Sequence, residues 1–413
     1  LEQGHLLLTT AQYKALAVTL GFGSSGIVQW VHLPSGLWIS QKNPGYPFFA
    51  VLFRILGVLR AAPLFYGALA CAGLFAGARR WLGPWGGTWA ALLFCSSGAA
   101  ITFAWRATMP TFTDASLIAA GAGALLWAML AVEASHRRRL LVGLLAFAAF
   151  EGATFIRYTD LLVLLSAAAA VLLLAPRCKL PWRIVASWMS TVLFFGAGVA
   201  LFDKIVYGSP LKTGYASGEI KFSLSALPAN IEHMPIRLLE AMPMIVLAVA
   251  ALGWIALRLA RDRAGRSSPS ARIEHRRDGA VALSLLAGWA LIWGLYLAYT
   301  WTVNQAGADS VHVIRFYLPA LGLIALLGAW TLAKLPRGAS SAAVVLALIF
   351  GVLSFHGLTS GGGPGGPGGG PGALGIGAPA GGLGRNGGNL GGPGGPPPAG
   401  TGGAPPSGRG GAP

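Results

Sequence analysis

Residues 114 to 139 read DASLIAAGAGALLWAMLAVEASHRRR: a carboxylate at Asp114, an uncharged run over 115–132, then Glu133 and the triplet Arg137-Arg138-Arg139. As a helix rising 1.5 Å per residue, such a run covers the ~30 Å hydrocarbon layer, and the basic flank marks its cytoplasmic end. The unit recurs along the chain. Apolar runs lie near 62–78, 84–105, 115–132, 140–156, 161–176, 184–202, 241–257, 279–303, 316–333 and 338–355. Basic residues occupy every second connection: Arg79-Arg80, Arg137-Arg138-Arg139, the Arg177/Lys179/Arg183 group, seven Arg between 258 and 277, and Lys334/Arg337. The predicted fold class is all-α, a polytopic membrane protein with about ten transmembrane helices. The connections 106–114, 157–160, 203–240 and 304–315 then face outward, with both chain ends.

Composition agrees. Of 413 residues 54% are hydrophobic and 10% charged, and the mean hydropathy is +0.63, which excludes an ordinary water-soluble domain. The net charge of +17 is spread over the alternate loops and forms no single basic face, so it does not point to nucleic acid. Cys71, Cys95 and Cys178 show no metal-ligand spacing and read as small buried hydrophobes. Residues 361–413 hold 26 Gly and 11 Pro without a Gly-X-Y period, the composition of a disordered spacer. The predicted domains are an external loop with interfacial helices (1–60), a transmembrane bundle with the external loop 203–240 (61–357), and a Gly/Pro-rich tail (358–413). The stretch Pro44 to Leu59 is short and carries Arg54, so it is expected in the outer interface. The opening Leu-Glu-Gln-Gly-His has no signal-peptide pattern, and a chain starting outside implies a further helix upstream of Leu1.

Only 13 residues are acidic, so each is informative. Glu133, Asp262, Glu274 and Asp278 are expected as solvated partners of nearby Arg, and Glu151, inside an apolar run, as structural or protonated. Asp114 closes the external stretch Arg106-Ala-Thr-Met-Pro-Thr-Phe-Thr-Asp114; helix capping by Thr113 or Asp114 is its simple explanation, a site carboxylate the other. The long external connection contains Tyr207-Gly-Ser-Pro-Leu-Lys-Thr-Gly-Tyr215, a loop suited to closing a site. Lys42, Arg106, Lys212 and Arg315 are separated external cations that together suit a lipid phosphate and singly suit snorkelling. His5, His32 and His233 lack a ligand spacing.

The order of these motifs resembles the GT-C fold of glycosyltransferase family 39, membrane enzymes that use polyprenyl-phosphate sugars and include protein O-mannosyltransferases, aminoarabinose transferases and RgtA/B/C/D-like bacterial enzymes. The residues carrying it are Thr9-Thr10-Ala11-Gln12-Tyr13, Lys42-Asn43-Pro44-Gly45-Tyr46-Pro47, Gly77-Ala-Arg-Arg80, Phe112-Thr-Asp114, the Tyr207–Tyr215 loop and Arg315-Phe-Tyr-Leu-Pro319. The resemblance covers almost all of residues 9 to 335. It implies transfer of a sugar from a polyprenyl-phosphate donor to a cell-envelope acceptor at the external face of a bacterial plasma membrane, with inversion. It implies Asp114 as the catalytic and metal-binding carboxylate, a divalent cation (Mg or Mn) as cofactor, Lys42, Arg106 and Arg315 on the donor phosphate, and Tyr207, Lys212 and Tyr215 in a site-closing loop. Abundant Ala, Gly and Arg suit a GC-rich bacterial genome.

One departure stands out: Thr9 and Thr10 occupy the place of the family's first-loop acid, and a hydroxyl is no base at neutral pH. A non-catalytic family member is therefore one alternative. A lipid or solute transporter is the other; it calls for an internal repeat or mid-span polar residues, whereas 161–176 and 316–333 have uncharged interiors and no repeat is evident.

Overall fold

The computed structural model describes residues 7–19, 30–106, 109–215, 220–305 and 313–359; the tail assigned as a spacer, His5 and the opening residues lie outside them. Helix α1 (Thr10–Thr19) starts on a capping box: the Thr9 N–H donates to Gln12 Oε1 (2.9 Å) and the Gln12 N–H to Thr9 Oγ1 (3.3 Å). Strands β1 (Trp30–His32) and β2 (Trp38–Ser40) pair antiparallel, Val31 opposite Ile39. Tyr13 stacks on Trp38 at 3.9 Å, tying α1 to this hairpin. Helix α2 (Gly45–Ile55) has 11 residues. At 1.5 Å each it rises ~16 Å, half the hydrocarbon layer, as the interfacial reading requires.

The bundle follows: α3 (Ala62–Leu82), α4 (Pro84–Cys95), α5 (Gly98–Ala104), α6 (Thr111–Leu130), α7 (His136–Ile156), α8 (Leu161–Leu174), α9 (Trp182–Tyr207), α10 (Leu227–Ala241), α11 (Ile245–Arg263), α12 (Pro269–Leu297), α13 (Thr300–Gln305), α14 (Leu321–Lys334) and α15 (Arg337–Thr359). Among the described residues six helices are long and apolar enough to cross a membrane, and eight spans result if the bent pairs α4–α5 (63°) and α10–α11 (104°) each count once. The apolar runs at 161–176 and 316–333 form the shorter α8 and α14, led by 3-10 turns at Tyr158–Asp160 and Leu318–Ala320. All ten runs are helical, but two are broken and two are short.

Local chemistry sets the ends. Ser135 Oγ accepts the Arg138 N–H at the start of α7, and Ser268 Oγ accepts the Ala271 N–H ahead of Pro269 at the start of α12. The outer face of α9 stays apolar and uncovered, with Leu193 74% and Phe194 79% exposed, the pattern of a lipid-facing helix.

Three expectations change. The connection 203–240 is largely helical: α9 runs on to Tyr207, and α10 buries Asn230, Met234, Leu238 and Ala241 on one face. Asp278 does pair with Arg277 (3.5 Å) but is not solvated: it is buried between two indoles, the Trp81 Nε1–H donating to Oδ1 (2.9 Å) and the Trp330 Nε1–H to Oδ2 (2.8 Å). Sequence spacing could not place those tryptophans, 197 and 52 positions away, beside it. Of the cysteines, Cys95 is exposed and Cys71 and Cys178 are half-buried, because Cys95 ends α4 at the break in the bent pair.

The basic loops gather at one end of the bundle. Arg80 pairs with Glu133, Lys334 with Glu274 (3.1 Å), and the buried Arg139 donates to the carbonyls of Ala128, Met129, Cys178 and Lys179 at 2.9–3.5 Å. Glu151 lies on α7, half-buried, beside Thr191 of α9.

Candidate functional site

At the opposite end, α2 is drawn against the end of α7. A Cβ at Gly45 would fall 2.4 Å from the Phe155 carbonyl, so only glycine allows this approach. The contact sets the Lys42-Asn-Pro-Gly segment over the loop between α7 and α8. The Tyr207–Tyr215 loop seats on the same segment: a Cβ at Gly214 would meet the Gln41 carbonyl oxygen at 2.7 Å, and Lys42 Nζ donates to Tyr215 Oη (3.1 Å) while lying 5.2 Å from its ring centre.

Beneath it lies Arg157, between α7 and α8. Its Nε is 3.6 Å from Asp114 Oδ2, its Nη1 donates to the Arg315 carbonyl (3.1 Å), and its guanidinium interacts with Asp160, Tyr215 and Tyr296 as well. Burial works against the charged form of Arg157, but Tyr296, Asp114, Asp160 and Tyr215 outweigh it and hold the guanidinium above the ordinary arginine value. Arg315 stands next to it, over Phe316 (4.8 Å) and Trp301 (5.5 Å). Burial and the Arg157 charge pull Arg315 below the ordinary value, and among the described residues no carboxylate pairs with it. Thr159 Oγ1 and Tyr296 Oη share a hydrogen bond of 2.7 Å, which fixes the 158–160 turn to α12.

Asp114 and Asp160 are both buried, 0% and 1% exposed. Their carboxyl groups hydrogen-bond to each other, and Arg157 is the cation beside them. Asp114 caps nothing: α6 begins at Thr111 behind Pro110, so Asp114 sits in its first turn with its amide already bonded to the Pro110 carbonyl. Among the described residues no group of three or more His, Cys, Asp or Glu converges as a metal site. Asp114 and Asp160 are the oxygen donors that would hold a hard divalent cation, which would supply charge neutralisation to a phosphate there.

A small apolar cleft opens between α6, α8, α12 and α14, lined by Ala122, Leu126, Val163, Leu174, Leu285 and Leu323 among others. Val163 is one helical turn from Asp160.

Thus the structure brings Lys42, Tyr215, Arg315 and Asp114 together through Arg157. Arg106, just past the end of α5, lies over Phe103 of that helix (5.8 Å), and Lys212 is exposed on the turn after Ser209. Tyr207 is buried against Leu33 and Ile39 and anchors the loop on the hairpin. His32 packs on Trp38 and His233 lies beside Glu232, both away from the carboxylates. Arg157, Asp160 and Tyr296 were not singled out from sequence. The legible signal was Arg157-Tyr-Thr-Asp160 itself, two charges in a four-residue loop assigned to the same face as Asp114.

No family model and no curated protein matches the sequence. Two solved structures are similar to it. One is ArnT from Cupriavidus metallidurans bound to undecaprenyl phosphate, with a TM-score of 0.45 and 15% identity over 78% of this chain and 56% of that one. The other is the same protein in the apo state, with a TM-score of 0.44 and 14% identity over 75% and 52%. The chain spans about half the length of these structures.

Proposed function

We propose that this chain is a multi-pass membrane glycosyltransferase that moves a sugar from a polyprenyl-phosphate donor to a cell-envelope acceptor at the external face of a bacterial plasma membrane. The observation that carries the reading is the cation group of exposed Lys42 and half-buried Arg157 and Arg315 around Tyr215, in which Arg315 meets rings and no described carboxylate. A buried positive charge without an anion is costly, and a phosphate repays that cost. The apolar cleft beside Asp160 offers an isoprenoid chain a path out of the lipid.

In this reading Lys42 and Arg315 bind the donor phosphate and neutralise the charge that grows on it as the sugar leaves, an interaction stronger in the transition state than in the ground state. Arg157 holds Asp114 and, through the Arg315 carbonyl, the backbone beside the second cation. A divalent cation held at Asp114 supplies further charge neutralisation on the phosphate when bound. The Tyr207–Tyr215 loop covers the donor headgroup, Tyr207 anchoring it and Tyr215 meeting Lys42. Thr9 and Thr10 are engaged in the capping box and in accepting the Trp38 indole N–H (3.2 Å), so neither stands in for an acid.

Proteoliposomes charged with polyprenyl phosphate bearing a radiolabelled sugar, incubated with an envelope fraction, test the proposal. Label passing from lipid to acceptor is expected; label that only changes leaflet assigns the chain to transport instead.

A further inference from the structure

We propose that the basic-loop end of the bundle carries a binding site for an anionic phospholipid, in the recess where α3 meets α6, with Arg79 and Arg138 as its phosphate-binding residues. This end lies away from Lys42, Arg157 and Arg315, so the site stands whether or not the chain transfers a sugar. Small residues let α3 and α6 approach closely: a Cβ added at Gly77 would collide with the Gly123 backbone, and one at Gly73 would meet the Ala120 carbonyl oxygen at 2.7 Å. Beside this contact line the larger side chains Phe75 and Trp127 line a recess of about 310 Å³, together with Ala76, Arg79, Arg80 and Glu133. Arg80 is already engaged, its Nε donating to the Leu130 carbonyl (3.1 Å) and its guanidinium pairing with Glu133. Arg79 lies over the Phe75 ring (5.9 Å) and Arg138 over the Trp127 ring (5.1 Å), and neither forms an ion pair among the described residues.

A guanidinium resting on a ring keeps its N–H fork for an anion, and that fork matches phosphate oxygens two at a time. Around the recess the guanidinium groups of Arg79, Arg80, Arg137 and Arg138 face the single carboxylate of Glu133, so positive charge is in excess. The surface that leads into the recess makes the ligand a lipid. Phe65, Leu69, Ala72, Ala76 and Arg79 recur every three or four residues and so share one face of α3, on which all but the half-buried Ala76 are exposed. That face is an apolar track ending on a cation, the complement of an acyl chain ending on a phosphate. One arginine at a helix end snorkels to headgroups of any kind, whereas a recess with guanidinium groups from two sides favours net negative charge and repels the choline cation of a zwitterionic lipid.

The test is native mass spectrometry of the purified full chain titrated with phosphatidylglycerol and, separately, with phosphatidylcholine of the same acyl chains. Phosphatidylglycerol is expected to bind about tenfold more tightly, and the double variant Arg79→Gln/Arg138→Gln to lose most of that difference. Arg261→Gln/Arg263→Gln removes the same charge from the end of α11 and is expected to bind as the wild type does, which separates a site from general basicity. All four side chains are exposed, so both variants are expected to fold, with thermal melting as the check. Equal affinity of the wild type for the two lipids, full affinity for phosphatidylglycerol in Arg79→Gln/Arg138→Gln, or an equal loss in both double variants overturns the site. Displacement of phosphatidylglycerol by equimolar inorganic phosphate would make the ligand a free anion and overturn its assignment as a lipid. A loss of phosphatidylglycerol in Lys42→Gln would place the lipid at the opposite end of the bundle and overturn the proposal as well.

Discussion

Asp114 shows what a single residue tells from sequence and what it withholds. Thr113 and Asp114 before an apolar run fit a cap equally well on propensity, and only the start of α6 at Thr111 separates the two readings. Once the cap is excluded, a fully buried carboxylate needs another explanation, and the Arg157 and Asp160 contacts supply it. Asp114→Asn and Lys42→Ala are each expected to lower sugar transfer by about 100-fold, the scale of losing one group that stabilises transition-state charge, while the melting temperature changes little. Thermal melting beside the transfer assay checks both halves. Arg139 is the structural counterpart, a buried cation whose partners are carbonyls at the ends of α6 and α8. Arg139→Ala leaves those carbonyls unpaired and is expected to cost about 3 kcal/mol of stability, from charge-assisted hydrogen bonds worth ~1.5–3 kcal/mol each. An unchanged denaturation profile would exclude that role.

Among the elements, the long apolar runs were legible because a lipid-facing backbone leaves the helix as the economical solution. The short and oblique pieces were not. Helix α10 is amphipathic, and it occupies a stretch that the sequence assigned only as part of the external connection 203–240. The 3-10 turn Tyr158–Asp160 was invisible for another reason: three residues carry no periodicity, and its importance comes from Thr159 and Tyr296 meeting across 137 positions. Helix α2 was legible as interfacial but its docking was not, since that depends on the missing side chain of Gly45. Gly45→Leu is expected to push α2 off α7, carry Lys42 away from Tyr215 and weaken polyprenyl-phosphate binding at least tenfold. Gly198→Ala on α9, where an added Cβ meets nothing within 4 Å, is expected to bind normally. Equal binding by both variants would disconnect α2 from the site.

Across the whole molecule, alternation of basic and non-basic connections is the feature that sequence carried furthest. The structure sorts their contacts to two ends, Arg80–Glu133, Arg139–Lys179 and Lys334–Glu274 at one, Lys42–Tyr215, Arg157–Asp114 and Thr159–Tyr296 at the other. The convergence of distant loops on Arg157 was beyond sequence, because helix packing, not spacing, decides which loop ends meet. Single cysteines at Ser209 and Ser267, in a chain with Cys71, Cys95 and Cys178 replaced, are expected to react with an impermeant thiol reagent from opposite sides of sealed vesicles. Labelling of both from one side would invert half of the bundle. The function itself stands on whether the end that holds Lys42 and Arg315 grips a lipid-linked phosphate. Native mass spectrometry of the purified chain with polyprenyl phosphate, wild type against Lys42→Gln and Arg315→Ala, measures this without knowledge of the acceptor: a bound lipid lost at least tenfold in both variants is expected, and retention of equal affinity in both would contradict the assignment.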